Sequence, residues 1–147
     1  TAVNALKMAG VLPKIDKLAN KEDSILTKEF DKDGVLLSGG ETQKVTISRL
    51  FARDFDIAVL DEPSSALDPV AESKMYDALI EGTKGKTVIY ISHRLSSATR
   101  SDNILVFNKG VLAEQGNHEA LMSNKGYYQE MFTLQASGYK EVFEDEE

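Results

Sequence analysis

The stretch from Phe55 to Asp68 decides the fold and reads F-D-I-A-V-L-D-E-P-S-S-A-L-D. Residues 57–60 form an unbroken apolar run, which is typical of a strand buried on both faces in a parallel sheet. Asp61 and Glu62 follow this run at once, and Pro63 then ends any further strand pairing. Because open α/β sheets bind their ligands at the carboxyl ends of strands, the stretch predicts a functional site at this point.

The two adjacent acids suit two different tasks. Asp61 is placed to hold a hard cation such as Mg²⁺, and Glu62 is placed to take a proton from a water molecule. The alternative is an ordinary strand end whose acidic side chains are solvated. A second apolar strand, Thr87–Ile91, precedes His93 by two residues. Neighbouring parallel strands end at the same edge of a sheet, so we expect His93 near the acids, although a lone histidine is more often structural.

The longest helix is predicted to begin at Ser38, in the sequence S-G-G-E. Ser38 and Glu41 form a capping box, which on its own explains an ordinary helix start. It does not explain Gly39 and Gly40, because two consecutive glycines cost helix stability. Glycines at this place let backbone N–H groups approach an anion at the positive end of the helix dipole.

The other elements follow from local patterns. Asp68 is predicted to cap a helix that has Pro69 in its first position and ends at Gly82. Residues 103–114 predict a hairpin that turns at 108–110, and His118 is interpreted as structural, after an Asn117 cap. Further helices are predicted at 2–10, 13–18 and 127–135.

Composition limits the possible functions. A chain of 147 residues with 41% apolar content supports one folded domain. No run of 18 apolar residues occurs, and the absence of cysteine excludes disulfides and thiolate metal sites. The net charge of −7 argues against nucleic-acid partners.

Taken in order, these motifs resemble the ATP-binding cassette (ABC) ATPases over nearly the whole chain, up to about Tyr139. Leu37–Glu41 is similar to the signature motif of that family, usually L-S-G-G-Q. Ile57–Asp61 resembles its Walker B strand, and Ser65–Asp68 its D-loop. Glu62 matches the catalytic glutamate and His93 the switch histidine. Four motifs in register make the resemblance specific.

The resemblance implies an α/β fold of the P-loop NTPase type with ATP and Mg²⁺ as cofactors. Asp61 would hold Mg²⁺ through water, Glu62 would act as general base, and His93 would bond the γ-phosphate. The implied nucleotide-binding set is Ser38, Gly39, Gly40, Glu41, Gln43 and Asp68, with Ser38–Gly40 completing the site of a second cassette. Glu41 stands where the family usually has glutamine, and it could instead make the capping bond.

No G-x-x-x-x-G-K-[S/T] phosphate loop occurs in the sequence, although the family carries one before its signature. We therefore expect a C-terminal part of a cassette that is inactive alone. Its expected divisions are part of a helical subdomain (1–36), the cassette core (37–139) and an acidic tail (140–147). The acidic loop that often precedes an exporter signature is altered, because Lys32 replaces the expected glutamate.

The function expected from the resemblance is ATP hydrolysis that drives a solute, by export, across a membrane. The expected partners are a second cassette and a transmembrane domain, and the expected location is the cytoplasmic face of the cell membrane. The alternative is a soluble ABC ATPase of the translation-factor or DNA-repair type, which uses the same motifs without a membrane domain.

Overall fold

The computed structural model describes residues 1–29 and 31–144, with side chains described as far as residue 137. Two compact units divide the chain between Ile91 and Ser92. The predicted boundaries after residues 36 and 139 stay predictions. Helix continues to Glu144, so the first part of the predicted acidic tail is helical, and residues 145–147 lie outside the described residues.

The first unit combines helices with two parallel strands. Its elements are α1 (Ala2–Met8), α2 (Leu12–Ile15), a 3-10 helix (Lys21–Asp23), α3 (Gly39–Phe51), β1 (Ile57–Asp61), α4 (Pro69–Gly82) and β2 (Thr87–Ile91). Helices α3 and α4 begin and α4 ends where the caps and breakers predict. The segment before the signature contains a turn, in which the Gly34 N–H donates to the Asp31 carbonyl at 3.0 Å.

Strands β1 and β2 pair in parallel, with Ile57 opposite Thr87 and Asp61 opposite Ile91. One face of this pair packs on α3 and α4, in a core whose buried members are Ile47, Leu67, Met75 and Leu79. A second cluster, formed by Ala9, Val11 and Ile15, joins the first two helices to Val45 and Phe51 of α3. These contacts fix α3 and the end of β1 in one unit.

The other face of the strand pair is open, so the burial on both faces that the apolar runs indicate is not completed within the described part of the first unit. Ile57 and Val59 of β1 are 63% and 61% exposed, and Ile89 and Ile91 of β2 are 49% and 48% exposed. Side chains alternate along a strand, so these four lie on the same face. No described segment of the first unit covers them. The apolar run predicted the strand correctly but could not show whether this chain supplies both covering layers.

The second unit contains α5 (Leu95–Ala98), β3 (Ile104–Asn108), β4 (Val111–Gly116), α6 (His118–Asn124) and α7 (Tyr127–Glu144). Strands β3 and β4 form the predicted hairpin, whose two turn residues, Lys109 and Gly110, have φ of 51° and 80°. Two left-handed residues give the turn that best matches strand twist in a two-residue hairpin. The core comprises Ile104, Val106, Leu121 and Tyr128, and Asn117 caps α6 as predicted.

Self-association is the first expected consequence of this fold. The open apolar face of β1 and β2 should drive the chain to associate at increasing concentration, because exposed strands and apolar patches pair with other chains. Light scattering across a concentration series measures this. Val59→Lys should reduce association, whereas Ile80→Lys, on the exposed side of α4, should leave it unchanged. A wild-type chain that stays monomeric at high concentration would contradict the expectation.

Candidate functional site

The two adjacent acids lie where β1 ends, as the sequence predicts. Asp61 is the last residue of the strand and is exposed. Glu62 is half-buried and has a φ of 46°, and its N–H donates to the carbonyl of Ile91 at 2.9 Å. The left-handed conformation costs a non-glycine residue about 1–2 kcal/mol, so the surroundings must hold it. The chain therefore turns sharply between the two carboxylates and presents them in different environments.

The start of α3 has the predicted capping box. The Glu41 N–H donates to Ser38 Oγ at 3.2 Å, and the Ser38 N–H donates to Glu41 Oε2 at 2.8 Å. The Glu41 carboxylate is thus turned to the backbone of its own helix end, which was one of the two alternatives left open for it. Lys14 Nζ lies 3.2 Å from Glu41 Oε1 and offsets its negative charge.

The two signature glycines lie against the loop that follows the acids. A Cβ atom on Gly39 would be 3.4 Å from the Ala66 Cβ, and one on Gly40 would be 3.2 Å from Leu67 Cδ2. The close approach of α3 to this loop therefore accounts in part for the small residue at Gly40, whereas a Cβ atom on Gly39 would make only an ordinary van der Waals contact. Packing thus adds to the anion contact that the sequence suggests at Gly40, and it does not by itself explain Gly39.

Gln43 joins α3 to the same loop through both atoms of its amide. Its Nε2 donates to Ser65 Oγ at 2.7 Å, and its Oε1 accepts the Ala66 N–H at 3.0 Å. The amide is therefore occupied within the chain. The predicted nucleotide contact of Gln43 stays a prediction, while the structure gives the residue a bridging position between signature helix and D-loop segment.

Asp68 caps α4, as predicted. Its Oδ1 accepts the N–H groups of Val70 and Ala71, each at 2.9 Å. The Ala71 N–H, followed by that of Val70, lowers the pKa of the Asp68 carboxyl. The contact of Asp68 with a nucleotide or with a second cassette stays a prediction.

His93 belongs to the second unit and is exposed, two residues after the end of β2. Its backbone is held by Gln135 of α7, whose Nε2 donates to the His93 carbonyl at 2.6 Å and whose Oε1 accepts the Leu95 N–H at 3.0 Å. His118, by contrast, is half-buried against the rings of Tyr128 and Phe132, and its Nδ1 lies 2.9 Å from the Tyr128 hydroxyl. The core contact accounts for its position.

The sequence did not predict the residues whose hydrogen bonds hold the backbone of the site in place. Ser64, Glu72 and Tyr90 form a hydrogen-bonded group under the loop after β1, and Gln135 holds the backbone at His93. The available signal was weak: a glutamate on the apolar side of α4 and a tyrosine within an apolar strand. Neither pattern shows which residue the side chain will bond, because the hydrogen-bond partners are not neighbours in the sequence.

The residues at the helix start fit a phosphate group. The first N–H groups of a helix lack intrahelical acceptors, and the capping box of α3 uses only those of Glu41 and Ser38. The N–H groups of Gly39 and Gly40 are thus suited to an anion. In the described part of the chain, no three or more acidic or histidine side chains lie close enough together to hold a metal ion directly. Exposed Asp61 fits a cation held through water.

Comparison with known proteins identifies the relatives of this chain. An ATP-dependent lipid A-core flippase from Sodalis glossinidius is 41% identical over 132 residues, or 90% of this chain and 22% of the flippase. P-glycoprotein 14 from Caenorhabditis elegans is 39% identical over 153 residues, which cover 100% of this chain and 11% of that protein. The solved structure of a bacterial Atm1-family ABC exporter with ATP bound superposes with a TM-score of 0.82 at 36% identity, over 92% of this chain and 23% of that one.

The chain is a homologue of ABC exporters. This confirms the exporter resemblance drawn from the motifs and favours it over the soluble ATPase alternative. No protein-family model matches the sequence. This chain spans about a fifth of the length of the flippase and about a tenth of the length of P-glycoprotein 14. None of its helices within the described residues has the length and apolar character that crossing a membrane requires.

The charge on Glu41 should make the stability of the chain depend on pH. The Ser38 N–H, and then Lys14, lower the pKa of Glu41 below its ordinary value of 4.5. A carboxyl with a lowered folded-state pKa stabilises the fold above its unfolded-state pKa, and the contribution is lost as pH falls through the folded-state value. Glu41→Gln should therefore be less stable than wild type at neutral pH, with a difference that closes in acid.

Urea unfolding at a series of pH values measures this difference. Glu22→Gln is the control, because Glu22 is an exposed residue of the 3-10 helix. A difference between Glu41→Gln and wild type that stays constant from neutral to acid pH would show that the Glu41 charge does not stabilise the fold.

Proposed function

We propose that this chain is the signature-bearing, C-terminal part of an ATP-binding cassette in an ABC exporter. The cassette works at the cytoplasmic face of a membrane, where it hydrolyses ATP together with a second cassette and drives a solute through a transmembrane domain. The observation that carries the proposal is 41% identity, over 90% of this chain, to a protein named as an ATP-dependent flippase. The ATP-bound exporter with a TM-score of 0.82 supports it independently.

Within this proposal, the acids at the end of β1 have separate roles. Exposed Asp61 holds Mg²⁺ through water, and the ion supplies charge neutralisation to the phosphates. Glu62 accepts the proton of the attacking water. The left-handed conformation of Glu62 and the hydrogen bond from its N–H to the Ile91 carbonyl fix the backbone position from which its side chain extends. His93 donates a hydrogen bond to the γ-phosphate, on a backbone held by Gln135.

The start of α3 serves the ATP of the opposing cassette. The N–H groups of Gly39 and Gly40 and the hydroxyl of Ser38 face the γ-phosphate, at the positive end of the helix. Glu41 stays in its capping bond with Lys14 beside it, which limits its repulsion of phosphate. Gln43 and Asp68 complete the interface by fixing the loop between them, because Gln43 bonds residues 65 and 66 and Asp68 caps α4.

Ser38→Ala in the complete exporter tests this assignment. Turnover of ATP should fall while ATP binding to a single cassette is kept, because Ser38 acts on the opposite site. Loss of the cap alone would cost about 1 kcal/mol of stability and leave turnover intact at temperatures where the protein is folded. Melting temperature and ATPase rate are measured on the same preparation, with Ser73→Ala on the exposed face of α4 as the control. A lower melting temperature with normal turnover would assign Ser38 to capping only.

A further inference from the structure

Three hydrogen-bonded polar side chains anchor the loop that follows Glu62, and one of them, Ser64, belongs to the loop itself. Ser64 is 0% exposed, and its Oγ donates to Glu72 Oε1 at 2.6 Å. The Tyr90 hydroxyl lies 3.0 Å from the same Oγ. A serine hydroxyl has one hydrogen and two acceptor positions, so with its hydrogen on Glu72 it accepts the hydrogen of Tyr90. Ser64 therefore joins the loop to both α4 and β2.

The partners of Ser64 are themselves fixed. Glu72 is 7% exposed, on the side of α4 that faces the core. Tyr90 packs edge-to-face on Tyr76 of α4, with ring centroids 5.0 Å apart. The distance from Ser64 to Glu72 is in the range of a hydroxyl bonded to a carboxylate, the stronger class of hydrogen bond. A fully bonded polar group in a packed interior rigidifies the segment that it holds.

Only one residue separates Ser64 from Glu62, and that residue is Pro63, whose ring locks its φ. Few rotatable bonds therefore connect the anchored serine to the backbone of Glu62. On the other side, the Leu67 N–H donates to the Ser64 carbonyl at 2.9 Å. Leu67 in turn contacts the position of Gly40 at the start of α3. The position of Ser64 thus determines where the backbone of Glu62 lies. Through Leu67 it also determines how the loop packs against Gly40 at the start of α3.

We propose that Ser64, Glu72 and Tyr90 are positioning residues that hold Glu62 and the following loop in the geometry for ATP hydrolysis. In this role they act through the backbone of the loop and not by contact with the reacting atoms. This inference rests on the proposed function, since it assigns Glu62 the role of general base.

Ser64→Ala in the complete exporter is the decisive variant. It should lower kcat about 10-fold, because small displacements of a catalytic group cost large factors in rate. ATP affinity should stay near that of wild type, since Ser64 is fully buried and its hydroxyl is bonded within the chain. Ser64→Thr should restore kcat because it keeps the hydroxyl, and Tyr90→Phe should have a smaller effect because the bond to Glu72 remains. Ser73→Ala is the matched control for loss of a serine hydroxyl from an exposed place.

A second measurement is independent of ATP turnover. Amide hydrogen exchange in peptides that span residues 62–68 should speed up in Ser64→Ala and return to the wild-type rate in Ser64→Thr. Exchange in β2 should not change. A wild-type exporter without ATPase activity would overturn the proposed function. Amide hydrogen exchange would still show, in that case, whether Ser64 holds the loop at residues 62–68. Ser64→Ala with normal exchange at 62–68, or with normal kcat in an active exporter, would overturn the positioning role.

Discussion

Glu62→Gln in the complete exporter should lower the rate of ATP hydrolysis by about 100-fold or more, as expected for loss of a general base. The amide has nearly the shape of the carboxylate, so the backbone bond from Glu62 to Ile91 and the turn after β1 should stay in place. The amide cannot accept the proton of the attacking water. ATP binding should therefore persist while hydrolysis is lost.

Steady-state turnover and equilibrium ATP binding, measured on the same purified protein, check this prediction. Glu22→Gln is the matched control, since it makes the same chemical change at an exposed place in the first unit. Near-normal turnover of Glu62→Gln would show that another group accepts the proton. A loss of ATP binding as large as the loss of turnover would point instead to a damaged fold.

The second large effect concerns the chain by itself, which should not hydrolyse ATP at a measurable rate. The sequence contains no glycine-rich phosphate loop with its lysine, and phosphoryl transfer depends on positioning the phosphates and neutralising their charge. The 147-residue chain is assayed at millimolar Mg-ATP beside the complete exporter. Turnover by the chain on the order of 1 per second, an ordinary enzyme rate, would mean that its own residues hold the phosphates.

Local chemistry predicted much of this fold. The caps at Ser38 and Asp68, the acids after an apolar run and the hairpin turn at Lys109 and Gly110 each depend on neighbours in sequence. Such features are determined within a few residues, so the pattern and the structure agree on where α3 and α4 begin and where the hairpin turns, whereas the last helix, predicted to end at residue 135, continues to Glu144. The positions of Asp61 and Glu62 at the end of β1 follow from the same local rule.

Features that depend on distant partners were not predictable. The apolar strands predict burial on both faces in a whole cassette, but which segments cover Val59 and Ile89 is not visible in the strands themselves, and both residues are exposed here. The partner of Ser64 is eight residues away on α4, and that of His93 is Gln135, 42 residues along the chain. Similarly, only the fold brings Lys14 to Glu41 and so explains how a carboxylate is accommodated at the signature helix.

Two substitutions combined in different arrangements test the central claim most directly, namely that Ser38 and Glu62 of one cassette serve two different ATP sites. In an exporter with two copies of this segment, Ser38→Ala and Glu62→Gln are placed either in the same copy or in opposite copies. Opposite copies should damage one shared site and leave the other complete, with about half of the wild-type ATP turnover if the sites are independent. The same copy should damage both sites and abolish turnover. Equal turnover in the two arrangements, or more turnover with both changes in one copy, would contradict the account.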